Sequence, residues 1–184
     1  EHIQGHAHIV SGTNGVTPCE VQVKEATGDY YSGDGGTVLE TVTADRVLIA
    51  TGAKPRDLPF APCDGNTIIN SAHAMTLESR PESLVIIGSG AIGMEFAYVY
   101  NVFGTKVTVI EMLDRILPVE DEEVSKLAQR AFKKQGITFH TNTGVKNIDL
   151  SGDGGTVTYS PIGEDSKEET ITGEKILIAI GVAP

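Results

Sequence analysis

Hydrophobic and polar positions alternate along this chain in blocks of different period. Ser83–Ile87 is a short apolar run and predicts a buried strand. Residues 91–103 are apolar on nearly every face, which predicts a buried helix, and residues 106–111 return to strand-like alternation. Residues 121–135 predict an amphipathic helix, because Val124, Leu127, Ala128, Ala131 and Phe132 keep the spacing of one helical face. Acids open that helix, Lys133 and Lys134 close it, and Gly136 stops it. Residues 112–119 only connect. Residues 137–141 predict a third parallel strand. Residues 145–150 and 156–160 flank a Ser-Gly-Asp-Gly-Gly turn and, with residues 169–172, predict an antiparallel layer. Residues 175–180 return to the parallel sheet.

Upstream, residues 2–10 and 21–25 are strand-like. Between them and the next strand lies a turn-rich loop in which Tyr30 and Tyr31 read as anchors. Residues 54–77 carry Pro55, Pro59 and Pro62 and read as a linker, with a short helix over residues 71–77 capped by Ser71.

One element occurs twice. ETVTADRVLIATGAKP, residues 40–55, and ETITGEKILIAIGVAP, residues 169–184, share eight of sixteen positions at an offset of 129. Each copy predicts a polar strand, a turn, a buried apolar strand (residues 46–50 and 175–180), then glycine and proline. Two related domains explain the repeat. Gly181 of the second copy lies 93 residues after Gly88 of the glycine-rich turn, whereas no such turn precedes the first. The chain therefore reads as one whole nucleotide domain and the tail of another. The division expected is residues 1–60 for the incomplete β-rich part, 61–80 for a linker and 81–184 for the whole domain.

The chemistry sits after Ile87. Gly88, Ser89, Gly90, Ala91, Ile92 and Gly93 form G-x-G-x-x-G between a strand and a helix, and Glu111 ends the next strand eighteen residues after Gly93. Gly88 permits the tight turn, Gly90 lets a pyrophosphate reach the backbone, and Gly93 lets the helix pack on the strand. The helix N-terminus offers N–H groups to phosphate. Glu111 can accept from both ribose hydroxyls. The fold class expected is α/β: a Rossmann-like parallel sheet with a three-stranded antiparallel layer, plus a partial β segment.

Composition narrows the partners. The net charge of −11 argues against nucleic acid or an anionic membrane surface. No stretch approaches the ~18 apolar residues of a membrane span. The acidic runs at 120–123 and 164–169 read as solvated surface. Cys19 and Cys63 lie 44 apart, without metal or redox spacing, and are expected to be free thiols in a reducing compartment. His6 and His8 share a strand face, but two ligands do not make a metal site. The first residues do not resemble a signal peptide and lack an initiator methionine, which suggests a chain cut from a longer one.

With GHA at residues 5–7, ATGAKPRDLP at 50–59, the stretch from Ile86 through Glu123, KKQGI at 133–137 and ILIAIGVAP at 176–184, the chain resembles the flavin-dependent pyridine nucleotide-disulfide oxidoreductases, most closely their dihydrolipoamide dehydrogenase branch. In that family the NAD domain is inserted into a flavin domain of related fold, which would account for the repeat. The resemblance implies that Gly88–Gly93 hold the NAD pyrophosphate and that Glu111 binds the adenine ribose. Val145 would touch the adenine, and Glu95 and Gly181 would lie near the nicotinamide. Ala7, Thr51 and Gly52 match positions that touch FAD. The parent enzyme implied is a homodimer serving a 2-oxo acid dehydrogenase complex, in the cytoplasm or the mitochondrial matrix, with a role in cell redox homeostasis.

The chain departs from that pattern in chemically important places. The flavin glycine loop, the C-x-x-x-x-C disulfide and the domain with the catalytic histidine are absent from these 184 residues, so no catalytic residue is assigned and FAD is not expected on this chain alone. Three other readings stand beside this one: a stand-alone NAD-binding or sensing module, an NADPH-dependent disulfide reductase of the same family, and a methyltransferase. Glu111 argues against the second, since a carboxylate repels a 2′-phosphate. The repeat and the antiparallel layer argue against the third.

Overall fold

A computed structural model describes residues 1–12, 18–26, 35–150, 152, 154–163 and 167–184. The chain folds into two compact units, Glu1–Thr51 and Gly52–Pro184. Tyr30, Tyr31, Ser151, Asp153 and the acidic residues 164–165 lie outside the described residues, so the loop-anchor reading, the middle of the hairpin turn and the start of the second acidic run do too.

The first unit is a three-stranded antiparallel meander of β1 (His6–Ser11), β2 (Cys19–Lys24) and β3 (Val38–Ala44), in that order. Among its described residues only Val23 is a buried hydrophobic, while Ile9, Val10, Val38 and Leu39 are exposed. The buried strand expected over residues 46–50 does not form: these residues carry no strand and Leu48 is 90% exposed. A parallel strand takes its hydrogen bonds and its burial from strands on either side, and the first copy has none among the described residues. The second copy does, and there the same sequence pattern is buried.

The second unit opens with β4 (Lys54–Pro55), β5 (Ile68–Ile69) and α1 (Ser71–Ala74). There follow β6 (Ser83–Ile87), α2 (Ala91–Val102), β7 (Lys106–Ile110), α3 (Glu122–Lys134) and β8 (Thr138–His140). The antiparallel strands β9 (Thr143–Asp149), β10 (Gly155–Pro161) and β11 (Glu169–Gly173) come next, then β12 (Lys175–Ile178) and β13 (Val182–Ala183). Five strands make a parallel sheet in the order β5-β12-β6-β7-β8, and β11-β10-β9 form the antiparallel layer. The α/β class with a parallel sheet and a three-stranded layer is therefore the observed architecture.

The continuous apolar runs follow from burial on both faces of the sheet. Leu84, Ile86, Val107, Val109 and Leu177 join Met94, Ala97 and Tyr100 in one core on the helical side. Their strand neighbours Val85, Ile87, Ile110, Ile176 and Ile178 join Val157 and Tyr159 in a second core under the antiparallel layer. A period of two thus sends alternate residues to two different cores, and no polar face is needed.

Several expectations need correction. The stretch read as a linker supplies an edge strand, β5, with Ile69 fully buried. The short helix stops at Ala74, and its cap is Asn70 rather than Ser71: the Asn70 side chain accepts from the N–H groups of Ala72 and His73. Helix α2 is not buried all round. Gly93, Met94, Ala97 and Tyr100 face the sheet, while Tyr98, Val99 and Val102 are exposed, because only one side of the helix meets the sheet. Helix α3 is rolled from the expected stripe, with Val124 and Leu127 exposed and Ser125 buried alongside the half-buried Ala128 and Phe132. The Ser125 hydroxyl donates to the Leu117 carbonyl at 3.1 Å, which anchors that face instead. The connecting segment is more than a tether, since Ile116 within it is fully buried.

Candidate dinucleotide site

The sheet order places the glycine-rich turn at a point of divergence. From β6 the chain leaves through α2 to β7 on one side, while β12 lies on the other. Crevices at such points, outside the carboxyl ends of the strands, are where open α/β sheets bind ligands. The turn is pinned from both sides: the Gly88 N–H donates to the Ile110 carbonyl at 2.9 Å, and the Ala179 N–H donates to the Ile87 carbonyl at 2.8 Å.

The three glycines differ in what requires them. Gly88 has φ 100°, and a Cβ there would strike the Ala179 carbonyl oxygen. A Cβ on Gly93 would strike the Gly88 carbonyl oxygen. Packing within the protein accounts for both. Gly90 has φ −66°, which any residue adopts, and a Cβ there would meet nothing within 4 Å. The fold makes no steric demand for glycine at this position, and the space above it is open.

The N-terminus of α2 is open in the same sense. Asn70 caps α1 and Asp121 caps α3, whose first turn also carries Glu122 and Glu123. Helix α2 begins at Gly90 with no side-chain cap and no acid in its first turn. Its first-turn N–H groups thus have no side-chain cap, which suits a phosphate. This donor set and the space over Gly90 fit a dinucleotide pyrophosphate.

Glu111 is buried at the end of β7. Its Oε2 accepts from the N–H of Ser89 at 2.7 Å and from the Ser89 hydroxyl at 2.8 Å, and its Oε1 accepts from the N–H of Leu113 at 2.8 Å. A carboxylate has about four acceptor positions, and the protein itself supplies donors to three of them. The connecting segment closes the other flank of the turn, where the Leu117 N–H donates to the Ser89 carbonyl at 2.9 Å. Leu117 takes a left-handed backbone, φ 47°, to do so. Neither leucine was legible as a site residue, because an apolar side chain gives no sign that its backbone N–H is the useful group.

The remaining positions are dispersed. Ala91 and Ile92 open α2, and Glu95 lies exposed further along it. Val145 sits half-buried on β9 opposite Tyr159 and packs against the second core. Gly181, φ 112°, follows β12, and its carbonyl accepts from the Arg56 N–H at 3.0 Å. Ala7 and Thr51 lie exposed in the first unit, and Gly52, φ 75°, is exposed at the start of the second.

A cluster away from the turn was not foreseen. The Cys63 thiol donates to the Ile68 carbonyl at 3.1 Å and lies 3.5 Å from His73 Nδ1, which is 2.8 Å from the Asn70 side-chain oxygen. Burial pushes the Cys63 thiol up from its ordinary pKa. His140, also unassigned from sequence, lies with its ring tilted by 51° against that of Tyr159, the centroids 4.9 Å apart. Among the described residues no group of three or more His, Cys, Asp or Glu could hold a metal, and no helix is long and apolar enough to cross a membrane.

The crevice, the open helix end and the anchored acid form a candidate dinucleotide site on an α/β sheet. Residues 7–184 match the family described as Pyridine nucleotide-disulphide oxidoreductase, and the chain belongs to that family. It is similar to a dihydrolipoyl dehydrogenase of Bacillus subtilis, 36% identical over 171 residues, covering 90% of this chain and 36% of the relative. A dihydrolipoyl dehydrogenase of Mycobacterium tuberculosis is 42% identical over 151 residues, covering 82% of this chain and 31% of the relative. The crystal structure of LpdA from Mycobacterium tuberculosis superposes with a TM-score of 0.74 at 31% identity, covering 99% of this chain and 36% of that one. The chain thus spans about a third of the length of these relatives.

Proposed function

We propose that this chain is the NAD(H)-binding segment of a dihydrolipoamide dehydrogenase-like flavoenzyme that oxidises dihydrolipoamide with NAD. The observation that carries the reading is Gly90, a glycine that nothing in the protein requires, at the uncapped start of α2. In this role Gly88–Gly93 lie against the pyrophosphate, with Ala91 and Ile92 supplying backbone N–H groups at the start of α2 while the Ser89 N–H stays on Glu111. Glu111 orients the adenine ribose through its open acceptor on Oε1. Val145 borders the adenine, and Glu95 and Gly181 border the nicotinamide. NAD supplies the hydride acceptor.

Glu111 favours NAD over NADP, because a buried carboxylate at the ribose disfavours a 2′-phosphate. Arg115, the cation nearest to it in sequence, is turned to Asp114 and to the Pro118 carbonyl. This argues against the NADPH-dependent reading. Residues 81–184 are the NAD domain, with the strand and helix of residues 61–80 added to its edge. Residues 1–60 are the end of a flavin domain in which Ala7, Thr51 and Gly52 border FAD. The parent enzyme is a homodimer within a 2-oxo acid dehydrogenase complex, in the cytoplasm or the mitochondrial matrix.

Calorimetry on the 184-residue chain tests the reading. NAD should bind more tightly than NADP. Glu111→Ala should weaken NAD by about 1.5–3 kcal/mol, the range for hydrogen bonds to a charged group. The chain alone should be colourless and should not oxidise dihydrolipoamide. Equal affinity for the two nucleotides, or a yellow protein with lipoamide turnover, would overturn it.

A further inference from the structure

The distribution of donors around Glu111 is uneven, and the side chain responsible is Ser89. On Oε2 two acceptor positions are filled, by the N–H and the hydroxyl of the same residue; on Oε1 one is filled, by the Leu113 N–H. Any residue other than proline at position 89 would supply the N–H. Only a hydroxyl-bearing one supplies the second donor, and Ser89 is fully buried, so its proton is directed within the protein rather than to bulk water.

We propose that Ser89 is a positioning residue that sets nucleotide specificity: its hydroxyl locks the Glu111 carboxylate in one orientation, leaving a single acceptor, on Oε1, for one hydroxyl of the adenine ribose. The step rests on the NAD reading above. Terminal torsions of glutamate are soft and two-fold, so a carboxylate held by one backbone N–H on each oxygen, without the hydroxyl, is less tightly fixed. Once locked, it presents a lone pair to a hydroxyl donor and a fixed negative charge to a 2′-phosphate. Once freed, it is a poorer acceptor for the first and a weaker obstacle to the second. Specificity at this site therefore depends on the turn residue as well as on the acid, and an exchange at position 111 alone would also release Ser89 and the turn.

Ser89→Ala and Ser89→Gly both remove the hydroxyl without adding volume. The dissociation constants of NADH and NADPH would be read by nucleotide fluorescence on the full chain, in each variant and in each combined with Glu111→Ala. NADH binding should weaken roughly tenfold, the scale of one hydrogen bond to a charged group. NADPH binding should change about twofold or less, so the preference ratio falls. In the Glu111→Ala background the same substitutions should leave that ratio unmoved, since Ser89 would have nothing to position. A ratio unchanged in both single variants overturns the proposal alone. So does a shift that persists without Glu111, and so does unfolding of both variants, which would assign Ser89 to the fold. Failure of the unmodified chain to bind NADH overturns the NAD reading and this proposal with it.

Discussion

The Tyr100 hydroxyl donates to the Ala74 carbonyl at 2.6 Å, tying the last turn of α2 to the end of α1. Both residues are buried, so the carbonyl has little access to water as a substitute partner. Tyr100→Phe keeps the ring and removes the donor. It should lower stability by about 1–3 kcal/mol, the cost of a buried acceptor left unpaired. A urea midpoint unchanged from the parent chain would show that the contact contributes nothing.

Gly90 and Gly93 should separate binding from folding. Gly90→Val points into open space, at a helix start where it costs about 1 kcal/mol relative to a good cap. It should abolish NAD binding with a near-parental thermal midpoint. Gly93→Ala drives a methyl into the Gly88 carbonyl and should cost at least the 1–3 kcal/mol typical of overpacking. Undiminished NAD affinity in Gly90→Val, with unchanged circular dichroism, would remove the turn from the phosphate site.

Hydrogen exchange should divide the molecule. The second unit has two cores on one sheet, whereas the first has only Val23 as a buried hydrophobic among its described residues. Amides of β1–β3 should exchange through openings of much lower free energy than those of β6, β7 and β12. Equal protection in the two sets would count against this.

Cys63 should be a sluggish thiol. Burial raises its pKa, so at a given alkaline pH less of it is thiolate than in the unfolded chain. In a Cys19→Ser background, iodoacetamide should modify Cys63 more slowly in the folded protein than in urea. The same shift has a sign for stability. The contribution is whole below the ordinary thiol range and is lost as pH rises through the folded value. Modification at equal rates in both states would refute the claim.

The parallel sheet, α2 and the glycine turn were legible because each rests on local pattern: an apolar run, a glycine spacing, an acid at a strand end. What escaped the sequence depends on contacts from far along the chain. Ile68 and Ile69 are too few to announce a strand, and β12, more than a hundred residues later, makes them one. The face of α3 is chosen by Ser125, a polar residue that no hydrophobic count would bury, through the Leu117 carbonyl. Residues 46–50 match the buried copy in pattern, yet pattern cannot supply neighbouring strands. At the site, Glu111 was legible by position. Its partners were not, because two of its three donors are backbone N–H groups.

The exposed first copy has a practical cost. Val47, Leu48 and Ile49 form an uncharged, β-prone stretch without proline, and Leu48 is 90% exposed. Segments of that composition template intermolecular β-pairing and aggregation. Concentrated solutions of the 184-residue chain should therefore gel or precipitate before the nucleotide domain itself unfolds. A charge placed at Leu48, as in Leu48→Lys, should extend the shelf life of the protein without touching the turn that starts α2.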